Sequence, residues 1–324
     1  MLMKTALKSF LEEIQRIGEE IKRKDGKLVG VQLPDGLKRL SIQIATVLEA
    51  IGLEPIFSGE HSYGACDIDT ALLDTVDYLI HAGHTPLYKD DRIFFVPYFV
   101  EYNPEIVRKA FSQLDGKICL ISTAQYTHRL PQVKHILEEA GFTVELNKGD
   151  DRVCFPGQVL GCNYTAVKNC DMILFIGDGL FHPVGAAIYS GKKVCRLNPL
   201  SGEVDLVTPE NMIKRRYLLM TRCMDMKTCG ILLSKKPGQF RLTLAREARN
   251  IANDRFHADL IVVDEITPDK IDNLPYDFFV NTACPRITFD DWSNFSKPII
   301  SFQELEIIVG KKPWESYSLD WIPG

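Results

Sequence analysis

The 324-residue sequence has no apolar run long enough to cross a bilayer. Stretches such as MILFI and FFV fall far short of the ~20 residues a spanning helix needs. A basic excess is also missing: 38 Lys and Arg stand against 43 Asp and Glu, for a net charge of −5. A protein that grips nucleic acid through its phosphates carries surplus positive charge, so neither nucleic acid nor membrane is an expected partner. The opening MLMKTALKSFLEEIQRIGEEIKRK lacks the apolar segment and cleavage site of a secretory signal, which points to a cytoplasmic protein. Nine cysteines are present, but not in the even, close-spaced framework of a disulfide-stapled domain. Composition is otherwise average, at 45% hydrophobic and 25% charged residues with 22 Gly and 17 Pro, which excludes collagen-like and disordered chains.

Three cycles of apolar pattern run along the chain. An amphipathic helix over 4–24 places Leu7, Phe10, Leu11, Ile14, Ile17 and Ile21 at helical spacing. A strand LVGVQLP (28–34), a turn at Asp35-Gly36, a helix closing at Gly52 and the strands EPIFSG, DYLIHAG and RIFFVPYF follow. The pattern restarts at KICLIST (117–123), passes through a helix ending at Gly141, and reaches the strands FTVEL, DMILFIGDG and KKVCRLNP. Residues 208–226 read as a connecting helix, with Thr208 as N-cap and Pro209 in the first turn. The third cycle begins at CGILLSK (229–235) and carries ADLIVVDE, YDFFVNTA and PIISF. Short apolar runs alternating with helices indicate parallel sheets. The expected fold class is α/β, with three similar small parallel-sheet domains at 1–111, 112–207 and 208–324. One large doubly wound sheet is the alternative reading of the same alternation.

The cysteines divide by context. Cys119 and Cys195 lie inside strand patterns and read as small core hydrophobes. Cys154, Cys170, Cys223 and Cys229 read as structural or incidental. Cys66 (YGACDID), Cys162 (VLGCNYT) and Cys284 (NTACPRI) differ, because each sits in a loop beside small or turn-forming residues, one per cycle. Loops beyond the strand C-termini of open α/β sheets gather around ligands. Three domains set as a triangle would aim one thiolate each at a common centre. Cys66 and Cys162 follow the second strand of their cycles, whereas Cys284 follows the third. A structural zinc normally takes four ligands and no fourth is obvious. A [4Fe–4S] cluster on three cysteines keeps one iron open to a substrate. Local triplets of the C-x3-C-x2-C or C-x2-C-x2-C kind are absent, which excludes ordinary ferredoxins and ordinary S-adenosylmethionine radical enzymes.

Taken together, QLPDGLKR, EHSYGACDID, YLIHAGHTPL, VLGCNYT, FIGDGLFHP, NPLSGEV, the KKPGQ turn and NTACPRI resemble the archaeal diphthamide-biosynthesis enzymes, the 2-(3-amino-3-carboxypropyl)histidine synthases. The likeness spans about residues 25–305; the first helix and the tail after Phe302 add nothing to it. The resemblance implies a [4Fe–4S] cluster held by Cys66, Cys162 and Cys284, with S-adenosylmethionine as co-substrate. It also implies reductive cleavage of the bond between sulfur and Cγ, and transfer of the aminocarboxypropyl group to C2 of a histidine of translation elongation factor 2. A homodimer and an external electron donor belong to the same expectation.

Other residues are candidates for the co-substrate pocket. Asp35 and Gly36 either line a ligand loop or form a plain turn. His84 lies just beyond a strand end, and Gly177, Asp178 and His182 take the same position in the second cycle. Gln239 is placed to hydrogen-bond a ligand. Arg286, two residues after Cys284, suits a methionine carboxylate, because a guanidinium binds carboxylates in a bidentate fork. Two rival functions use the same layout: quinolinate synthase, whose local motifs are not those seen here, and a non-catalytic cluster-binding subunit, in which loss of one cysteine would be expected.

Overall fold

A computed structural model describes residues 2–87 and 89–323, with side chains from Thr5 onward. The first unit runs α1 (Leu2–Arg23), β1 (Leu28–Gln32), α2 (Ser41–Ala50), β2 (Glu54–Phe57), α3 (Thr70–Leu73), β3 (Tyr78–Ala82) and β4 (Ile93–Val96). Helix α1 forms as its apolar spacing demands. Phe10, Ile14, Ile17 and Ile21 are buried against Val29 and Val31 of β1, while its Lys and Glu residues face outward in i,i+4 pairs. Asp35-Gly36 opens a six-residue 3-10 helix instead of a bare turn.

The second unit runs β5 (Lys117–Ser122), α4 (Leu130–Glu139), β6 (Thr143–Glu145), β7 (Met172–Ile176), α5 (Phe181–Ser190), β8 (Lys193–Leu197) and β9 (Val204–Val207). The third runs α6 (Glu210–Cys223), β10 (Thr228–Ser234), α7 (Leu242–Ala252), β11 (His257–Val263), α8 (Pro268–Ile271), β12 (Phe278–Asn281), α9 (Pro285–Phe289), β13 (Ile299–Ser301) and α10 (Phe302–Ile308). The strand orders are β2-β1-β3-β4, β6-β5-β7-β8-β9 and β11-β10-β12-β13. The same order recurs in all three sheets, and every pairing is parallel except β8 with β9. Strand β9 is an antiparallel addition that the alternation of strands and helices does not foretell. The three-sheet expectation stands and the single large sheet does not.

Residues on both sides of 111 pack on the second sheet. Tyr102, Val107, Ala110 and Leu114 are buried with Ile118 and Leu120 of β5, so this segment belongs to the second core. The reason lies in its period: a 3-10 helix over Pro104–Gln113 turns one apolar face onto that sheet. The tail extends the third unit back to the second, where Leu319 is buried with Phe175 and Phe289.

An equivalence between the units sits at the strand N-termini, far along each sheet from the cysteine loops. Asp77 Oδ2 accepts from the backbone N–H of Lys27 at 2.8 Å and Leu28 at 2.9 Å. Asp277 Oδ2 does the same for Lys227 at 3.0 Å and Thr228 at 2.9 Å, and Asp171 Oδ2 for Lys117 at 2.9 Å. In every unit the aspartate before the third strand fastens the start of the first. The N–H groups of Leu28 and then Lys27 hold the Asp77 carboxyl below its ordinary 3.8, and those of Lys227 and then Thr228 do so for Asp277. A carboxyl depressed on folding adds stability above its unfolded value and loses it as pH falls through the folded one. The double variant Asp77→Asn, Asp277→Asn should therefore unfold at lower denaturant than the parent near neutral pH. The gap should close below about pH 4, where aspartates protonate. An unchanged gap in acid would mean that these carboxylates are not the source.

Candidate metal centre

Each cysteine loop is built around a buried amide side chain. Gln32, at the end of β1, donates from Nε2 to the Asp67 carbonyl at 2.8 Å and accepts the Asp69 N–H at Oε1 at 3.1 Å, bracketing the loop that follows Cys66. Gln32 Oε1 also accepts from His81 Nδ1 at 3.0 Å. His81 Nε2 is then the acceptor for His84 Nδ1, also at 3.0 Å, which fixes the tautomers of both rings. Asn163 is fully buried and donates to Asp150 at 3.0 and 2.8 Å beside Cys162, whose loop closes through reciprocal Leu160–Asn163 backbone bonds. Asn281, at the end of β12, donates to the Cys284 carbonyl at 2.8 Å and accepts the Ala283 N–H at 2.9 Å. Pro285 then starts α9 in the first-turn position that tolerates it. Breaking such a buried bond leaves an unsatisfied group, at a cost of about 1–3 kcal/mol.

Cys66, Cys162 and Cys284 are half-buried, whereas Cys119, Cys170, Cys195, Cys223 and Cys229 are buried in the cores. The three loop thiols sense one another. Burial first, then the charges of Cys66 and Cys162, push the Cys284 thiol far up. Burial lifts Cys162 to about 11, against the pull of Arg152 and with a further push from Cys66. Burial also raises Cys66, opposed chiefly by Gln239. Three thiolates here would repel one another in a poorly solvated space, so a cationic group between them is what the donor set requires. Among the described residues no three His, Cys, Asp or Glu side chains are placed to hold a single metal ion. An all-thiolate donor set is what an iron–sulfur cluster takes. The residues fit that group.

A cavity of 230 Å³ opens on Cys284 and is lined also by Tyr63, Lys236, Gln239, Glu265 and Arg286. A polar cavity of 460 Å³ adjoins it, sharing Lys236, Asp264 and Glu265 as a wall and continuing to Asp67 and His61. The crevice therefore lies between the first and third units.

The structure sorts the candidates named from sequence. Gln239 lines the cavity and donates one amide N–H from Nε2 to Cys66 Sγ at 3.3 Å. Arg286 faces the cavity with Cys284, but shares its guanidinium with Asp290 at 3.2 Å and Asp291 at 3.7 Å and covers the Phe181 ring. His182 stacks on Phe175; burial, and then the charge of Arg286, hold it neutral at about 4. Burial likewise drops His84 to about 4, where it pairs with His81. Asp35 and Gly36 line neither cavity. Asp35 is exposed and paired with Lys38 and His61, each at 2.8 Å, and a side chain on Gly36 would meet nothing. Gly177 and Asp178 also stay outside both cavities. A Cβ on Gly177 would press on the Phe175 ring at 2.7 Å, so close packing explains that glycine. Asp178 is exposed, with the Tyr126 hydroxyl at 3.5 Å. The sequence reading missed Lys236, whose Nζ reaches the buried Asp67 at 2.7 Å, along with Tyr63 and Glu265. For Lys236 the signal was its place beside the PGQ turn; nothing local marked the others.

Residues 33–318 match the family of diphthamide synthesis proteins. The chain belongs to this family. It is 37% identical over 327 residues to the 2-(3-amino-3-carboxypropyl)histidine synthase of Pyrococcus horikoshii, covering 97% of this chain and 95% of that one. To the synthase of the same name from Methanocaldococcus jannaschii it is 30% identical over 337 residues, covering 95% and 92%. The crystal structure of Dph2 from Pyrococcus horikoshii with a 4Fe-4S cluster matches with a TM-score of 0.91 at 36% identity, over 96% of this chain and 94% of that one. The diphthamide synthesis family thus has this three-sheet architecture, and its named members are aminocarboxypropyltransferases.

In this member of the diphthamide synthesis family one glycine is fixed by the Cys66 loop. A Cβ on Gly238 would stand 2.5 Å from both Cα and Cβ of Cys66, closer than real contacts allow, and the obstacle includes backbone. Gly238→Ala should leave the circular dichroism spectrum intact and lower iron affinity by about 10- to 100-fold, the range typical of groups that support metal ligands. Normal iron uptake would show that the Cys66 loop tolerates displacement.

Proposed function

We propose that this chain is a 2-(3-amino-3-carboxypropyl)histidine synthase. It transfers the 3-amino-3-carboxypropyl group of S-adenosylmethionine to C2 of a histidine on translation elongation factor 2. Cys66, Cys162 and Cys284 hold a [4Fe–4S] cluster. The observation that carries the reading is the set of three half-buried thiols, one following each sheet, with Cys284 opening on a cavity that Gln239, the partner of Cys66, also lines. When bound, such a cluster supplies a low-potential electron and one iron without a protein ligand.

The residues of the chain bind and orient. Gln239 gives an N–H to Cys66 Sγ at 3.3 Å and so favours its thiolate. Arg152 approaches Cys162 Sγ at 3.9 Å with the same sense of charge. Arg286 faces the methionine carboxylate from the cavity wall, and the adjoining polar cavity takes the rest of the co-substrate. The net change is a substitution: the Cγ–S bond breaks, a bond from Cγ to imidazole C2 forms, methylthioadenosine leaves and the C2 proton is released. Orientation alone decides which of three C–S bonds breaks, and positioning of this kind is a main source of enzymic rate. The chain works in the cytoplasm as a homodimer and draws on an external electron donor. Among the described residues no helix is long and apolar enough to cross a membrane. Three units, near 1–101, 102–207 and 208–324, are the proposed domains.

Reduced, anaerobic protein with S-adenosylmethionine should release methylthioadenosine. Mass spectrometry showing 5′-deoxyadenosine as the main product would reverse the proposed orientation. Coverage of nearly the whole length of a synthase named without subunits supports a catalytic chain over a purely supporting one.

A further inference from the structure

The loop after β10 contributes no cysteine, yet its contacts lead to all three cysteine loops. Lys236 Nζ holds Asp67, the Gly238 N–H donates to the Cys66 carbonyl at 3.2 Å, and Gln239 reaches the Cys66 sulfur. Two residues on, Arg241 turns the other way. Its Nε donates to the Thr282 carbonyl at 2.8 Å, two residues before Cys284. Its two terminal nitrogens take both oxygens of Asp320, at 3.1 and 2.7 Å.

Asp320 is only 1% exposed and accepts a further bond from Gln303 at 3.1 Å. Two residues further, the Ile322 N–H donates to the Cys162 carbonyl at 2.7 Å, and the Ile322 carbonyl accepts from the buried Asn163 side chain at 3.2 Å. An unbroken path thus joins Cys162 to Ile322, Asp320, Arg241, Thr282 and Cys284. Residues 319–323 lie beyond the segment matched to the family.

We propose that Arg241, acting through Asp320, is the positioning residue that fixes the Cys162 loop against the Cys284 loop, while the preceding turn at 236–239 fixes the Cys66 loop to the same strand end. The assignment rests on the cluster reading above. Three ligands borne by three separate sheets have no local sequence to set their spacing. A planar guanidinium gripping a buried carboxylate in a bidentate fork is stiff enough to set it, and supporting groups of this kind govern metal affinity.

The test compares the full chain with Arg241→Gln, Asp320→Asn and the double variant. In the metal-free proteins, hydrogen exchange of peptides covering 160–164 and 319–323 should speed up about tenfold or more, because exchange through local opening reads the stability lost with those buried bonds. Peptides covering 64–69 should be unchanged in Asp320→Asn. After anaerobic iron–sulfide reconstitution, loss of iron to a chelator should accelerate to a similar degree. The double variant should resemble the worse single one, because both act on one link. If circular dichroism shows either variant unfolded, Ile322→Pro removes the single N–H given to Cys162 and should reproduce both effects. Parent-like exchange and parent-like iron loss in these variants would overturn the assignment while leaving the cluster reading intact. A parent chain that takes up no iron would refute the cluster reading instead, and the exchange data on metal-free protein would still decide the fastening.

Discussion

Cys66→Ala, Cys162→Ala and Cys284→Ala should each strip the protein of its brown colour and most of its iron, whereas Cys119→Ala should keep about four irons per chain, the content of a [4Fe–4S] centre. The contrast follows from where the thiols sit. Cys119 is fully buried within the second sheet, so its loss trims a small core side chain and costs stability alone. The three loop cysteines follow strands of three different sheets and are half-buried, and Cys284 opens on the cavity, so loss of any one removes a donor that the other units do not duplicate. Cys154 is the nearest competitor in exposure, but its sulfur contacts the Pro86 carbonyl at 3.5 Å, whereas the thiols that shift Cys284 are Cys66 and Cys162. The decrease should be larger than for Gly238→Ala, because a ligand is removed instead of displaced. Iron and sulfide analysis with electron paramagnetic resonance checks this. Full iron loading in the triple variant would end the assignment.

The sequence made the repeating sheets legible because parallel strands covered on both faces read as apolar runs such as MILFI and GILLS. It also singled out the three cysteines, through their small neighbours and their one-per-cycle placement. Residues joined only by tertiary contact were opaque. Lys236 and Asp67 are 169 positions apart, and Ile322 meets Cys162 from a tail that carried no motif. Asp35-Gly36 was ambiguous for the opposite reason: a turn at a strand end has the composition of a ligand loop, and in the structure Lys38 and His61 take up its carboxylate at the surface. Gly177 was ambiguous in a similar way, since a glycine packed against the Phe175 ring reads the same as one that makes room for a ligand. Strand β9 was missed because its residues are half-exposed and its pairing to β8 is antiparallel, outside the pattern that organises the rest.

Folded elongation factor 2 should gain one aminocarboxypropyl group on one histidine, and free histidine should gain essentially none. A carbon centre released from the sulfonium reacts with whatever lies nearest, so the acceptor C2 must already stand close when the Cγ–S bond breaks. Holding two reactants in place is worth up to about 7–11 kcal/mol in favourable cases, and free histidine forfeits most of it. On the proposed function, an extended loop carrying the histidine enters the cavity beside Cys284, whose 230 Å³ is too small for a protein domain. Its rim offers Tyr63, 56% exposed with Lys236 stacked over its ring at 5.0 Å, as a flat surface for such a loop. Phe240, 51% exposed and next to Gln239, adds a second apolar contact outside the cavity. With carboxyl-labelled S-adenosylmethionine, the parent factor should take up label. A factor with another residue in place of that histidine should permit slow release of methylthioadenosine while remaining unlabelled. Substituting Phe240 by Ala should raise the concentration of factor needed for half-maximal labelling more than it slows methylthioadenosine release without the factor, since Phe240 lies outside the cavity that takes the co-substrate. Equal labelling of both factors would rule out a defined histidine acceptor.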